Sequence, residues 1–348
     1  MLLPNLISAQ INDTSKVLPS AEITAVRLSR YAVGQQQIMI DSADLKTFQL
    51  LNIGDLLQNL TPLSIKAYGI GLSTATSRGT GSRHTALVWN GLNIQNGLIG
   101  LSDLSALEVG SVEKMSVKFG GSSALFGSGA IGGAIFLDNS IENTNGFSGN
   151  IGTNTGSFGL FGQNIKLKIG NNNAAAQIRI SHQKALNNFE FRDNSSFGKP
   201  IKRAENAAFD KLNLTNSLLF NLGKNRFIKI NNWLTNINRQ IPPTMTSRVD
   251  SARQLEQTFR SVAEFSGPLS INSILKARIG YFNEKLNYES DVVKNSENNI
   301  RTLIAETETV FNFTEKKSLR LGINYTNNKT FANNLGDINH EQIGRAHV

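Results

Sequence analysis

The sequence contains no cysteine, which excludes disulfide staples and thiolate metal sites. It has no run of about 18 apolar residues, so hydropathy offers no helix that could cross a membrane. Mean hydropathy is -0.20. A polar average does not exclude a β-barrel, whose strands need only about 10 residues of alternating character. Acidic residues are fewer than basic ones, 26 against 35, for a formal net charge of +9. Lysine and arginine are scattered rather than clustered, which argues against nucleic acid as a partner and leaves an anionic lipid or ligand open. Proline is scarce, 7 against 30 glycines, as in a chain of many turns. Only four histidines occur, His84, His182, His340 and His347, none at metal-ligand spacing. No H-E-x-x-H, G-x-S-x-G or Walker motif is present, so neither an enzyme nor a resident metal or cofactor is expected. The two tryptophans, Trp89 and Trp233, read as packing or interface aromatics.

One stretch looks like a nucleotide motif. "FGGSSALFGSGAIGGAIFLDNS", beginning at Phe119, holds a G-x-G-x-x-G at Gly127, Gly129 and Gly132. A dinucleotide fold needs a helix opening at the third glycine and an acidic residue about 20 positions on. Here a short apolar run follows, which reads as a strand, and Asp138 comes too soon. The glycines therefore read as a tight turn between strands, where close backbone approach leaves no space for a Cβ.

The chain changes character near residue 140. "MLLPNLISAQ" (1–10) has the look of the end of a signal peptide, and 11–40 read as extended. Leu50, Ile53, Leu56, Leu57 and Leu60 recur at helical spacing until Pro62 stops them. β-type runs follow at 85–89 and 112–119, so 41–140 form a small α/β unit. From 141 to 342 the period becomes two. Ile165, Leu167 and Ile169 oppose Asn164, Lys166 and Lys168; Ile178 and Ile180 oppose Arg179; Leu275, Ala277, Ile279 and Tyr281 oppose Lys276 and Arg278; Leu319, Leu321 and Ile323 oppose Arg320. Such alternation fits a soluble sandwich with an apolar inside, or a membrane barrel with an apolar outside. Charges on almost every polar face, and short turns alternating with polar loops such as 187–206 and 241–253, favour the barrel. At 20–25 residues per strand and turn, about nine strands are expected.

"RGTGSRHTALVWNGLNIQ" and "VEKMSVKFGGSSALFGSGAIGGAIFL" resemble the plug of TonB-dependent outer-membrane receptors. That plug shows an Arg-Gly before a strand ending in Asp-Gly; Arg78 and Gly79 match the first, and Asn90 and Gly91 stand at the second with Asn for Asp. Its longer motif, E-x-I-E-V-x-x-G-P-x-S-A-L-Y-G-x-x-A-x-G-G-x-I, is matched at Glu113, Val117, Gly120, Ser123, Ala124, Leu125, Phe126, Gly127, Ala130, Gly132, Gly133 and Ile135. Mild departures include Gly121 where proline is common and Phe126 where tyrosine is common. The resemblance covers about residues 18–139 and implies a plug followed by antiparallel transmembrane β-barrel strands, in the bacterial outer membrane. It implies structural roles for the plug-motif residues and a TonB box that pairs with the energy-coupling protein TonB. Glu22, Ile23, Thr24 and Ala25 stand where that box is expected, in a segment able to add as a strand to a partner's sheet. His84, in the plug loop, is a ligand-contact candidate.

The implied activity is import of a scarce metal chelate, ferric siderophore or cobalamin. A SusC-like importer of glycans or peptides is the nearest alternative. A passive porin or adhesin barrel would need no plug. About nine strands fall far short of the 22 that a plugged transporter closes, so an incomplete barrel is expected. The final "IGRAHV" (343–348) reads as a translated sequencing adapter and is expected to be non-native.

Overall fold

The computed structural model describes residues 36–67, 71–120, 128–141, 145–243, 251–314, 317–333 and 336–347. The box-like residues Glu22–Ala25, the signal-like start and Gly127 lie outside them.

The first region is a five-stranded sheet with two short helices. Its elements are β1 (Gln37–Ile40), α1 (Ser42–Thr47), α2 (Ile53–Leu60), β2 (Ser64–Ala67), β3 (Ser73–Thr76), β4 (Thr85–Trp89), β5 (Leu92–Asn93), β6 (Lys114–Phe119) and β7 (Gly133–Asp138). The sheet runs β1-β6-β7-β4-β5, and β2 with β3 forms a separate hairpin. β7 lies antiparallel to β6 and parallel to β4. The expected helix is present but starts at Ile53, because Asn52 caps it by accepting from the Asp55 amide at 2.9 Å. Leu50 precedes the cap. Ile53, Leu56 and Leu57 are fully buried against Leu87, Met115, Val117, Ile135 and Leu137. Helix α1, which carries a single buried residue (Leu45), has too little periodicity to read from sequence. The strand expected over 112–119 begins at Lys114, because Val109–Ser111 forms a 3-10 turn that Val112 ends.

The second region is a ten-stranded antiparallel sheet: β8 (Gly146–Thr155), β9 (Phe161–Gly170), β10 (Ala174–Ala185), β13 (Phe209–Gly223), β14 (Arg226–Ile241), β15 (Ala252–Ser270), β16 (Ser273–Glu289), β17 (Ser296–Thr314), β18 (Lys317–Ala332) and β19 (Gly336–His347). Each strand pairs with the next in this order, and β8 does not pair with β19 among the described residues, so the sheet is an open arc. Ten strands rather than nine fit because several turns are minimal. Lys224 and Asn225 alone join β13 to β14, both with positive φ (51 and 58), as a tight hairpin requires. The span 187–206, expected as a plain loop, contains a small hairpin of β11 (Glu190–Arg192) and β12 (Ile201–Arg203).

Side-chain exposure decides between the two architectures. On β16, Ile279 is 54% exposed and Tyr281 41%, whereas the alternate residues Lys276 and Arg278 are 4% exposed. β13 repeats the pattern, with Leu212 and Phe220 exposed while Lys211, Asn213, Thr215 and Ser217 are buried. The apolar face points out and the polar face points in, the arrangement of a membrane barrel.

Candidate functional site

The plug packs against the inner face of the barrel wall, and this interface brings together most of the residues that the sequence singled out. The Asn90–Gly91 turn has φ of 47 and 86 and joins β4 to β5 as a two-residue hairpin. The Asn90 side chain accepts from the Asn139 amide at 2.9 Å, and its own amide donates to Leu137 at 2.9 Å. Gly91 lies against the Arg278 guanidinium of β16, where an added Cβ would come within 3.1 Å of the group. The neighbouring Leu92 enters a recess over Gly280, whose Cβ would approach Leu92 to 2.5 Å. Trp89 packs on Trp233 of β14 with ring centroids 5.6 Å apart, and the Trp89 indole donates to Asn139 at 2.7 Å. Asn96 reaches Glu284 of β16 at 3.3 Å.

Glu113 anchors the other flank. Its carboxylate accepts from Gln177 at 2.7 Å and Lys166 at 3.2 Å and pairs with Arg179, all on β9 and β10. Arg179 also donates to the Gly110 carbonyl at 2.8 Å and the Val112 carbonyl at 3.1 Å. Burial pushes the Glu113 carboxyl up, but Arg179 and Lys166 outweigh it and hold the group below its ordinary value of 4.5. Glu108 and Asp103 extend the contact. Glu108 bonds Ser181 and faces Lys211 at 3.6 Å; Asp103 pairs with Arg239 at 2.7 Å. The sequence reading missed both carboxylates, although the alternation had already placed Lys166 and Arg179 on the polar, inward face.

The plug motif's glycines hold backbones close together. The Gly132 amide donates to the His84 carbonyl at 2.8 Å, and a Cβ there would fall 2.3 Å from Thr80 Oγ1 and 3.1 Å from that carbonyl. At Gly133 a Cβ would stand 2.7 Å from the Lys118 carbonyl. Gly120 has φ of 101 and donates to the Gly132 carbonyl at 3.1 Å. Arg78 and Gly79, with φ of 50 and 75, form the turn that leads out of β3. β7 follows these glycines as a strand, and no helix opens at Gly132, so no nucleotide phosphate site exists there. His84 contributes its backbone to the turn, and the residue is exposed. Among the described residues no three His, Asp or Glu side chains converge on a metal-sized site.

Comparison with known proteins matches this architecture. The family model for the TonB-dependent receptor plug domain matches residues 30–134. Over 98 residues, 28% of this chain and 16% of the relative, the sequence is 30% identical to the vitamin B12 transporter BtuB of Photobacterium profundum. The alcaligin outer membrane receptor FauA of Bordetella pertussis superposes with a TM-score of 0.68 at 11% identity, covering 90% of this chain and 52% of its own. The siderophore receptor PiuA of Acinetobacter baumannii gives 0.65 at 12% identity, covering 89% and 53%. The chain thus spans about half the length of these solved receptors. A TonB-dependent receptor plug domain, docked on the polar inner face of an outward-apolar antiparallel wall, is the architecture that this chain shares with those outer-membrane receptors.

Proposed function

We propose that this chain is the plug and adjoining wall of a receptor that imports a metal chelate, ferric siderophore or cobalamin, with energy delivered by TonB. The observation that carries this reading is the plug docked on the inner face of the wall. Trp89, Leu92 and the Glu113 and Asp103 ion pairs fasten the plug to the wall over strands β9 to β16. A passive pore gains nothing from such an obstruction. A large, scarce ligand can pass only if work is done on the plug, and the segment ahead of β1, which carries Glu22–Ala25, is the natural handle. The relatives favour chelates: one is a vitamin B12 transporter, one a siderophore receptor and one an alcaligin receptor. Chemistry at the site itself is binding and gating, and the residues on this interface are structural rather than catalytic.

Deleting Glu22–Ala25 from the receptor should abolish energised uptake of a ferric siderophore or of cyanocobalamin while equilibrium binding to whole cells stays within about twofold. Uptake that survives the deletion would place the coupling segment elsewhere. Binding of neither class would end the chelate reading.

A further inference from the structure

The inner and outer faces of the wall treat their cations differently. Inward-facing arginines are neutralised within the chain: Arg278 pairs with Glu264 and Glu306, Arg260 with Glu284, Arg320 with Glu308, and Arg239 with Glu256. On the outward face, three cations on adjacent strands are exposed and make no ion pair or hydrogen bond among the described residues: Lys285 on β16, Arg301 on β17 and Lys329 on β18. Arg301 and Lys329 are direct cross-strand partners. Lys285 pairs with Asn299 and Asn283 with Arg301, so Lys285 is diagonal to Arg301. Like charges directly opposite on one face of a sheet are destabilising, and diagonal long side chains are within reach of each other. The outward carboxylates nearest to Lys329 lie on the edge strand β19, where Asp337 and Glu341 are both diagonal to it and neither forms an ion pair with it. Glu341 on β19 accepts from Asn327 at 2.8 Å, and Glu297 accepts from Asn295 at 3.0 Å.

The height of the cluster matters as much as its charge. One outward position below Arg301 lies Leu303, paired with Tyr281; below these come Ile279, Tyr325 and Ile323. Arg301 and Lys329 therefore stand about 7 Å along the strand from the apolar belt, and Lys285 one outward position further, on the strand of Tyr281. Tyrosine marks the level of lipid headgroups. The 290–295 connection between β16 and β17 closes this same end, and longer connections face the cell exterior in such barrels.

We propose that Lys285, Arg301 and Lys329 form a binding site for the phosphate groups of an outer-leaflet lipid. The lipid's chains lie on the Ile279, Leu303 and Ile323 surface, and its phosphate relieves the Arg301–Lys329 repulsion. The site does not depend on the cargo, since it faces away from the lumen.

The receptor, extracted from outer membranes in mild detergent, tests this by native mass spectrometry with added diphosphoryl lipid A, dephosphorylated lipid A or inorganic phosphate. The wild type should retain the diphosphoryl form, with each charge removed (Lys285→Gln, Arg301→Gln, Lys329→Gln) weakening retention about fivefold. Equal retention by the triple variant, equal binding of the dephosphorylated lipid, or displacement by millimolar inorganic phosphate would each overturn the site. Thermal melting gives an independent readout should the triple variant insert poorly. In delipidated protein, Arg301→Gln or Lys329→Gln alone should raise the melting temperature, and lipid A should stabilise the wild type more than either. A drop in both variants, or equal stabilisation by lipid A, would refute the proposal.

Discussion

Trp89 and Trp233 touch, and both are fully buried, yet they belong to opposite kinds of surface. Trp89 sits on β4, a strand whose five residues are all buried, inside an ordinary apolar core. Trp233 sits on β14, where its flanking neighbour Leu234 faces outward and is exposed while Thr235 points inward and is buried. The plug is folded by removing apolar surface from water. The wall is folded by satisfying every backbone group in a sheet whose apolar face is left for lipid. One chain thus carries two opposed rules for where polarity belongs, and the change falls between β7 and β8. The lesson is that burial alone does not report hydrophobicity here: Lys276 is as buried as Ile94, at 4% exposure each.

The contrast can be broken most severely inside the plug. Gly132→Val should cost on the order of 4 kcal/mol or more, since the new side chain meets Thr80 and the His84 carbonyl at once. Protease-resistant plug and normal receptor yield in purified outer membranes would show that the turn tolerates bulk. On the wall the same logic inverts. Ile279→Arg places a charge on the lipid face one outward position below Tyr281, near the interface, and should cost about 1–2 kcal/mol. The inward Lys276→Met should be much milder, and urea titration of the folded receptor in lipid vesicles compares the two.

The seam between the regions should respond to pH. Glu113 is held below its ordinary value of 4.5 in the docked plug, so the stabilisation is complete above that value and is lost as pH falls through the lowered one. Glu113→Gln should weaken docking by about 1–3 kcal/mol, because Arg179 keeps its burial and loses its counter-charge. In hydrogen exchange, strands β1 and β6 of the wild type should lose protection on acidification well below pH 4.5, whereas the variant should show the lower protection already at neutral pH. The smallest effect is expected at Gly91. Gly91→Ala adds a Cβ at φ 86 and against Arg278, for about 1 kcal/mol, read as a small fall in melting temperature.

Much of this arrangement was legible because it follows from periodicity and turn chemistry. The run 85–89 and the strand after Gly132 appear where composition puts them, and the inward face was marked by Lys166, Arg179, Lys276 and Arg278. What could not be read was pairing across distance. Glu108 and Asp103 lie in polar, turn-rich sequence, and nothing local shows that Ser181, Lys211 and Arg239 will stand opposite them. The hairpin β11–β12 was hidden for a different reason: three residues per strand are too few to establish an alternation. The tenth strand was hidden because turn length, not strand pattern, sets how many strands fit.

The central position of β7 has a consequence for timing. In the order β1-β6-β7-β4-β5 the middle of the plug sheet is its last segment to be made, and β4, paired until then only with the two-residue β5, must wait for a parallel partner whose first residue lies at Gly133. Closing that parallel pair requires a loop of more than forty residues, with the entropy that ordering such a loop costs. The nascent N-terminal half therefore has no complete sheet to settle into until Asp138 has been synthesised, and β8 begins only eight positions later, at Gly146. A chain that must travel unfolded to a distant membrane gains from a core that closes late.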